Sequence, residues 1–183
     1  MKSEVAEHFF KTLDEIASFP ADSENASFLQ RLIAYVEQKL GITIQVVMSD
    51  TGTLGVRSMS IYGGRNATIL VSDKTADKEH LRFSVAHELA HILLAGMRDT
   101  TADTSEMVRQ GQLTFVRRTK DSEDAAAILS AILLAYAQAK DGRSLPEIDK
   151  SLAAVLSGTA DIDDADRRLA TRLVREHMSR NSK

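Results

Sequence analysis

Apolar positions recur at helical spacing through the first forty residues and then switch to alternation. Val5, Phe9, Leu13 and Ile16 fall on one side of a helix, and Pro20 closes that segment. Phe28 or Leu29, Leu32, Tyr35 or Val36, and Leu40 mark a second helix. Ser23 or Ser27 suits its N-cap, and Gly41 is placed to end it in the left-handed conformation. Past Gly41 the period drops to two. Ile42, Ile44, Val46 and Met48 alternate with Thr43, Gln45 and Val47, the pattern of a strand with one buried face. Ser49-Asp50-Thr51-Gly52-Thr53 is turn chemistry, and Leu54 to Ser58 is a weaker strand that Met59 to Tyr62 continues. Gly63-Gly64-Arg65-Asn66 is a strong turn signal before a further strand, Ala67 to Val71. Residues 42–71 thus predict a small antiparallel meander of three or four strands.

Helical spacing returns at Asp77, a candidate cap. Phe83, Val85, Ala86, Leu89, Ala90, Ile92 and Leu93 cover most faces of the helix that follows, so it should be buried nearly all round and stop at Gly96. Residues 97–120 carry acidic Asp99, Asp103 and Glu106 and basic Arg109, Arg117, Arg118 and Lys120, and read as a solvated loop. A strongly apolar helix then runs from Asp121 through Ala125, Ile128, Leu129, Ile132, Leu133 and Tyr136 to about Lys140. Asp141-Gly142-Arg143-Ser144 breaks it. Pro146 opens a shorter helix with Leu152, Val155 and Leu156, and Leu169, Leu173 and His177 mark a last one. The expected fold class is α+β, a small antiparallel sheet packed on helices. The expected division is a main domain over 1–140 and a C-terminal helical extension over 141–183 packed on it.

Composition narrows the function. The 183 residues are 43% apolar and 27% charged, as in an ordinary globular protein with a real core. A net charge of −3 argues against a whole-surface nucleic-acid binder. Arg167, Arg168, Arg172 and Arg175 cluster near the C-terminus, but residues 161–183 hold six Lys/Arg against five Asp/Glu. That balance suits a solvated helix better than a helix-turn-helix or a direct nucleic-acid contact. No apolar run approaches a membrane span, and the first residues are too polar for a signal peptide, so a cytoplasmic location is expected. With no cysteine, any metal must be held by His and carboxylate.

The candidate chemistry lies in the buried helix, which contains His87-Glu88-Leu89-Ala90-His91. His87 and His91 are four apart and lie on one helical face, where two neutral imidazoles can grip one zinc ion. Glu88, one residue round the helix, suits a general base acting on water at the metal. Two His and a Glu in so apolar a helix are costly without partners, and a metal supplies them. His8 and His80 belong to no such pattern and read as surface residues. A catalytic zinc takes three protein ligands and keeps one position open. The metzincin extension fails at Leu94 and Met97, and the aspzincin pattern begun by Gly158-Thr159-Ala160-Asp161 fails at Asp164 and Ala165. A Glu on a second helix, the gluzincin arrangement, remains. Glu123 is the best candidate because it opens an apolar helix that must pack into the core; Asp99, Asp103, Glu106 and Asp124 are in reserve.

The run Leu81-Arg82-Phe83-Ser84-Val85-Ala86-His87-Glu88-Leu89-Ala90-His91-Ile92-Leu93-Leu94 resembles the signature of the ImmA/IrrE family of bacterial and phage metallopeptidases. Glu123-Asp124-Ala125-Ala126-Ala127-Ile128-Leu129-Ser130-Ala131-Ile132-Leu133-Leu134 is similar to that family's second block. It departs at Ala127, where the family carries Asn, and at Ala135-Tyr136, where it carries Met-Pro. The resemblance implies a zincin-like core with His87, His91 and Glu123 on zinc, or manganese in its place, and Glu88 as the base. It also implies a narrow peptidase whose substrate is a helix-turn-helix repressor, cut under stress to release transcription. The alternative is a metal-binding regulator, weak or inactive in catalysis, that acts by binding its partner protein. A strand such as Ala67–Val71 is expected to pair with an extended substrate.

Overall fold

The computed structural model describes residues 3–20, 26–49, 58–63, 65–74, 77–97, 107–110, 113–116, 120–156 and 164–181. Two helices, α1 (Ser3–Ala17) and α2 (Phe28–Leu40), precede three strands, β1 (Thr43–Ser49), β2 (Ser58–Gly63) and β3 (Asn66–Ser72). Helix α3 (Lys78–Met97) carries the paired histidines. A short hairpin, β4 (Met107–Gln110) and β5 (Leu113–Val116), separates it from α4 (Lys120–Lys140). The chain ends in α5 (Leu145–Leu156) and α6 (Asp164–Asn181).

Local chemistry explains several of these boundaries. At the start of α2, the Ser27 hydroxyl accepts from the Gln30 N–H, and the Gln30 side chain accepts from the Ser27 N–H at 2.7 Å. Two orphan donors are thereby satisfied reciprocally. Gly41 ends the helix at φ 63°, where a Cβ would be strained. Ser23, the other candidate cap, lies outside the described residues. Asp77 caps α3, its Oδ1 accepting from the N–H groups of Glu79 at 2.9 Å and His80 at 3.0 Å. Those donors, His80 foremost, hold the Asp77 carboxyl below the usual range.

The fold class is α+β, but the sheet is mixed where an antiparallel meander was expected. Its strand order is β1-β3-β2-β5-β4. β2 and β3 form the antiparallel hairpin that the Gly-rich turn encodes, from Ser58↔Val71 to Gly63↔Asn66. β1 runs parallel to β3, from Thr43↔Asn66 to Ser49↔Ser72. Alternation reports which face of a strand is buried, not which strand lies beside it or in which direction. β3 takes the centre, with Ala67, Ile69 and Val71 fully buried. With β1 on one side and β2 on the other, β3 has no edge to offer, so Ala67–Val71 cannot receive a substrate strand.

The second departure is the β4–β5 hairpin, paired to β2 through Tyr62↔Thr114, where a loop was expected. Four-residue strands are too short for alternation to stand out from chance. The rest of the expected loop lies outside the described residues.

Helix α3 lies between the sheet and α4, touching β2 and β3 on one side and α4 on the other. That double cover explains its apolar character all round: Phe83, Val85, Ala86, Leu89, Ala90 and Ile92 are buried. The same core includes Leu13, Leu32, Val36, Ile69, Leu133 and Leu134. α5 and α6 pack on α4 and on each other through Ile148, Leu152, Ala170 and Val174. Among the described residues no helix is long and apolar enough to cross a membrane.

Candidate metal centre

The packing of α3 on α4 decides what the paired histidines meet. His87 and His91 stand one turn apart on α3, with their Nε2 atoms 3.2 Å apart and their rings edge to face at 86°. Glu123 lies in the first turn of α4. Its Oε2 is 3.1 Å from His87 Nε2, and its Oε1 is 3.4 Å from His91 Nε2. The side chains of His87, His91 and Glu123 are 14%, 5% and 23% exposed, so water competes little for them.

Three lone-pair donors thus converge on one point. A small cation held tetrahedrally at about 2.0–2.1 Å leaves its ligand atoms roughly 3.3 Å apart. The His87–His91 edge is 3.2 Å and the His87–Glu123 Oε2 edge 3.1 Å, His91 lies 3.4 Å from the other carboxylate oxygen, and one ligand atom from each residue lies within 4.8 Å of the others. The donor set, two imidazole nitrogens and a carboxylate, also suits such an ion. Protons alone satisfy it poorly, because the Nε2–Nε2 contact requires one imidazole to donate where the other accepts. The residues present therefore fit a metal. Among the reserve residues, Asp124 does not join the cluster, and Asp99, Asp103 and Glu106 lie outside the described residues. His87 Nδ1 is buried without a hydrogen-bond partner among the described residues, an unusual feature beside a metal, where the far ring nitrogen commonly donates.

Glu88 is fully buried on the side of α3 that faces the sheet. Its Oε1 accepts a hydrogen bond from Ser58 Oγ at 2.9 Å. Ser58 is the first residue of β2 and a functional neighbour that no spacing rule links to a glutamate thirty positions on. Phe83 packs a tilted ring 5.9 Å from that of His87 and closes one side of the site.

Two other residues fall elsewhere. His80 is in the first turn of α3, hydrogen-bonded to Asp77 and about a third exposed, a surface residue as its sequence setting predicts. Tyr136 lies thirteen residues along α4 from Glu123, about 20 Å at 1.5 Å per residue. It is fully buried against Phe28 and donates its hydroxyl to Asp14, so it is not available as a proton donor at the metal centre. The side chain of His8 lies outside the described residues.

No curated protein and no solved structure matches the chain closely enough to compare. Residues 37–141, more than half of the chain, match a peptidase family described as the IrrE N-terminal-like domain. That span includes the sheet, α3 with its paired histidines, and α4 with Glu123. The chain belongs to the IrrE N-terminal-like domain family, whose members are metallopeptidases in type.

Proposed function

We propose that this chain is a zinc-dependent endopeptidase of narrow specificity, acting in the cytoplasm on a helix-turn-helix transcriptional repressor. The convergence of His87 Nε2, His91 Nε2 and the Glu123 carboxylate within 3.1–3.4 Å carries the reading. These three residues would hold zinc, and manganese would serve in the same set. When bound, the ion supplies Lewis acidity to a carbonyl and lowers the pKa of water toward neutrality.

The chain's own residues account for the proton transfers. Glu88, next to His87 on the same helix, takes a proton from the attacking water and returns it to the leaving amine as the peptide bond breaks. Ser58 Oγ anchors one oxygen of that carboxylate and so sets its orientation. The likeness of both sequence blocks to the ImmA/IrrE signature supports a repressor as substrate and stress as the occasion.

The test compares wild type with Glu88→Gln. Both are assayed for bound zinc, then incubated with the repressor encoded beside this reading frame. About one zinc in each protein, with cleavage by wild type alone, is the expected result. Zinc in both without cleavage by either, even with manganese supplied, replaces the peptidase by a regulator that acts through binding. Absence of metal from both overturns the assignment of His87 and His91.

A further inference from the structure

β1 forms one end of the sheet, opposite the hairpin end, and its outer edge meets no other strand among the described residues. The directions of its amide groups follow from the parallel pairing. Thr43 N–H donates to the Arg65 carbonyl at 2.8 Å, and Asp73 N–H donates to the Ser49 carbonyl at 3.0 Å. Along a strand these groups alternate between the edges. Thr43, Gln45, Val47 and Ser49 therefore address β3, while Ile44, Val46 and Met48 turn outward. The Ile44 N–H is already taken, by Glu37 Oε1 at 2.7 Å. Among the described residues, the N–H and C=O groups of Val46 and Met48 meet no partner on that edge.

The side chains sharpen the picture. Among the described residues, Val46, Val47 and Met48 are the exposed large hydrophobics, at 42%, 39% and 49%. The strand Thr43–Ser49 carries no charge. Edge strands are normally guarded by lysine, proline, a bulge or a covering segment, and the described part of β1 has none of these. Val46 and Met48 share a face with buried Ile44, in register with Ile69 and Val71. They continue the apolar face of the sheet past the point where the helices stop covering it.

We propose that β1 is a dimerisation edge, on which two copies of this chain pair β1 to β1, antiparallel, about a two-fold axis through Val47. The register selects a second copy. Val46 and Met48 flank Val47 symmetrically, so an antiparallel copy places Val46 of one chain opposite Met48 of the other, twice. Each such pair exchanges both of its backbone hydrogen bonds. Val47 meets its own counterpart on the opposite face, in the closer, non-hydrogen-bonded position. An uncharged strand brings no like charges together on self-pairing, and it offers a charged peptide nothing to recognise. Glu37 marks where the pairing stops. The contact is smaller than the roughly 1,200 Å² of standard interfaces, so the dimer is concentration-dependent, with a Kd on the order of 10–100 µM. It lies at the end of the sheet away from β2 and leaves both metal centres open.

Sedimentation velocity from roughly 5 to 500 µM reads the equilibrium directly. Wild type is expected to pass from monomer to dimer, while Val47→Lys and Val47→Glu each stay monomeric to the top of the range. An equimolar mixture of the two variants is expected to dimerise again, because opposite charges then meet at the axis. A misfolded variant does not regain that association. Amide hydrogen exchange gives a second reading. Val46 and Met48 should become at least ~10-fold better protected at high concentration, while Val47, bonded within the chain to β3, stays constant. A wild type that is monomeric throughout, or a dimer that both variants retain, overturns the proposal.

Discussion

Helix α4 carries a polar cluster near each end, and the two are built from different partners. At its start, Glu123 meets His87 and His91, whose Nε2 atoms donate or accept according to tautomer. Near its end, Tyr136 and Lys140 meet Asp14 from α1 and His177 from α6. The Tyr136 hydroxyl donates to Asp14 Oδ1, Lys140 Nζ lies 3.1 Å from the same oxygen, and His177 Nε2 lies 2.9 Å from Oδ2. One carboxylate there receives three donors and needs no added ion. His177 also stacks on Phe10, with ring centroids 4.6 Å apart. Histidine and carboxylate occur in both clusters. The Tyr136 hydroxyl and the Lys140 ammonium are fixed donors to one carboxylate, whereas two imidazoles and one carboxylate converge at the other end; that difference separates a site suited to a cation from one that ties three helices together.

Titration follows the same division. Burial pushes the Asp14 carboxyl up, but the Tyr136 hydroxyl, Lys140 and His177 together hold it below its ordinary value. Burial, then the hydrogen bond to Asp14, pushes the Tyr136 hydroxyl far up, so it stays a donor throughout the physiological range.

The largest expected effect separates the clusters by metal affinity. His91→Ala should weaken zinc binding by at least ~10²-fold, since it removes one of three ligands. Asp14→Ala should leave zinc binding within about twofold; both are read by competition titration against a chelating dye. A comparable loss in Asp14→Ala would mean that the ends of α4 are coupled.

Stability should reverse that ranking in metal-free protein. Asp14→Ala takes the acceptor from the buried Tyr136 hydroxyl and removes the carboxylate that faces His177. It should cost about 2–3 kcal/mol in urea unfolding, whereas His91→Ala, which removes one of two imidazoles crowded on a single carboxylate, should cost less. Equal losses would remove the distinction.

A third, smaller effect is the acid limb of stability. The folded pKa of Asp14 is lowered, so its contribution is present above the unfolded carboxylate range and is lost as pH falls through the folded value. Asp14→Asn should therefore flatten the loss of stability on acidification below the ordinary carboxylate pKa. An unchanged slope would place the acid sensitivity elsewhere.

The smallest effect lies outside both clusters. Gly41→Ala should cost about 1 kcal/mol, entirely from the left-handed backbone, because a Cβ at that position meets nothing within 4 Å. It should leave zinc binding and the acid slope untouched.

How far the sequence reached depends on how far apart the partners are. The His87–His91 pair was legible because both sit on one helix, where a spacing of four fixes the face. Ser27, Gly41 and Asp77 were legible as caps for the same local reason. Glu123 stood out only as the best of five acidic candidates, since α3 and α4 are joined by a segment with no period to fix its reach. Ser58 carried no signal at all, because its meeting with Glu88 depends on β2 lying against α3. The Asp14–Tyr136–His177 cluster was invisible in the same way: Asp14 and His177 are 163 positions apart.

The chain's own pattern determined the helices, the positions of β1 to β3, the tight hairpin, the buried helix and the paired imidazoles. These follow from the repeat of the backbone, which sets the face of each side chain within one element. Tertiary structure decided the parallel placement of β1, the central position of β3, the short hairpin beside β2, and which carboxylate faces the two histidines. Those outcomes depend on how whole elements pack. Their energies are sums over many small contacts between distant segments, and no short stretch of sequence records such a sum.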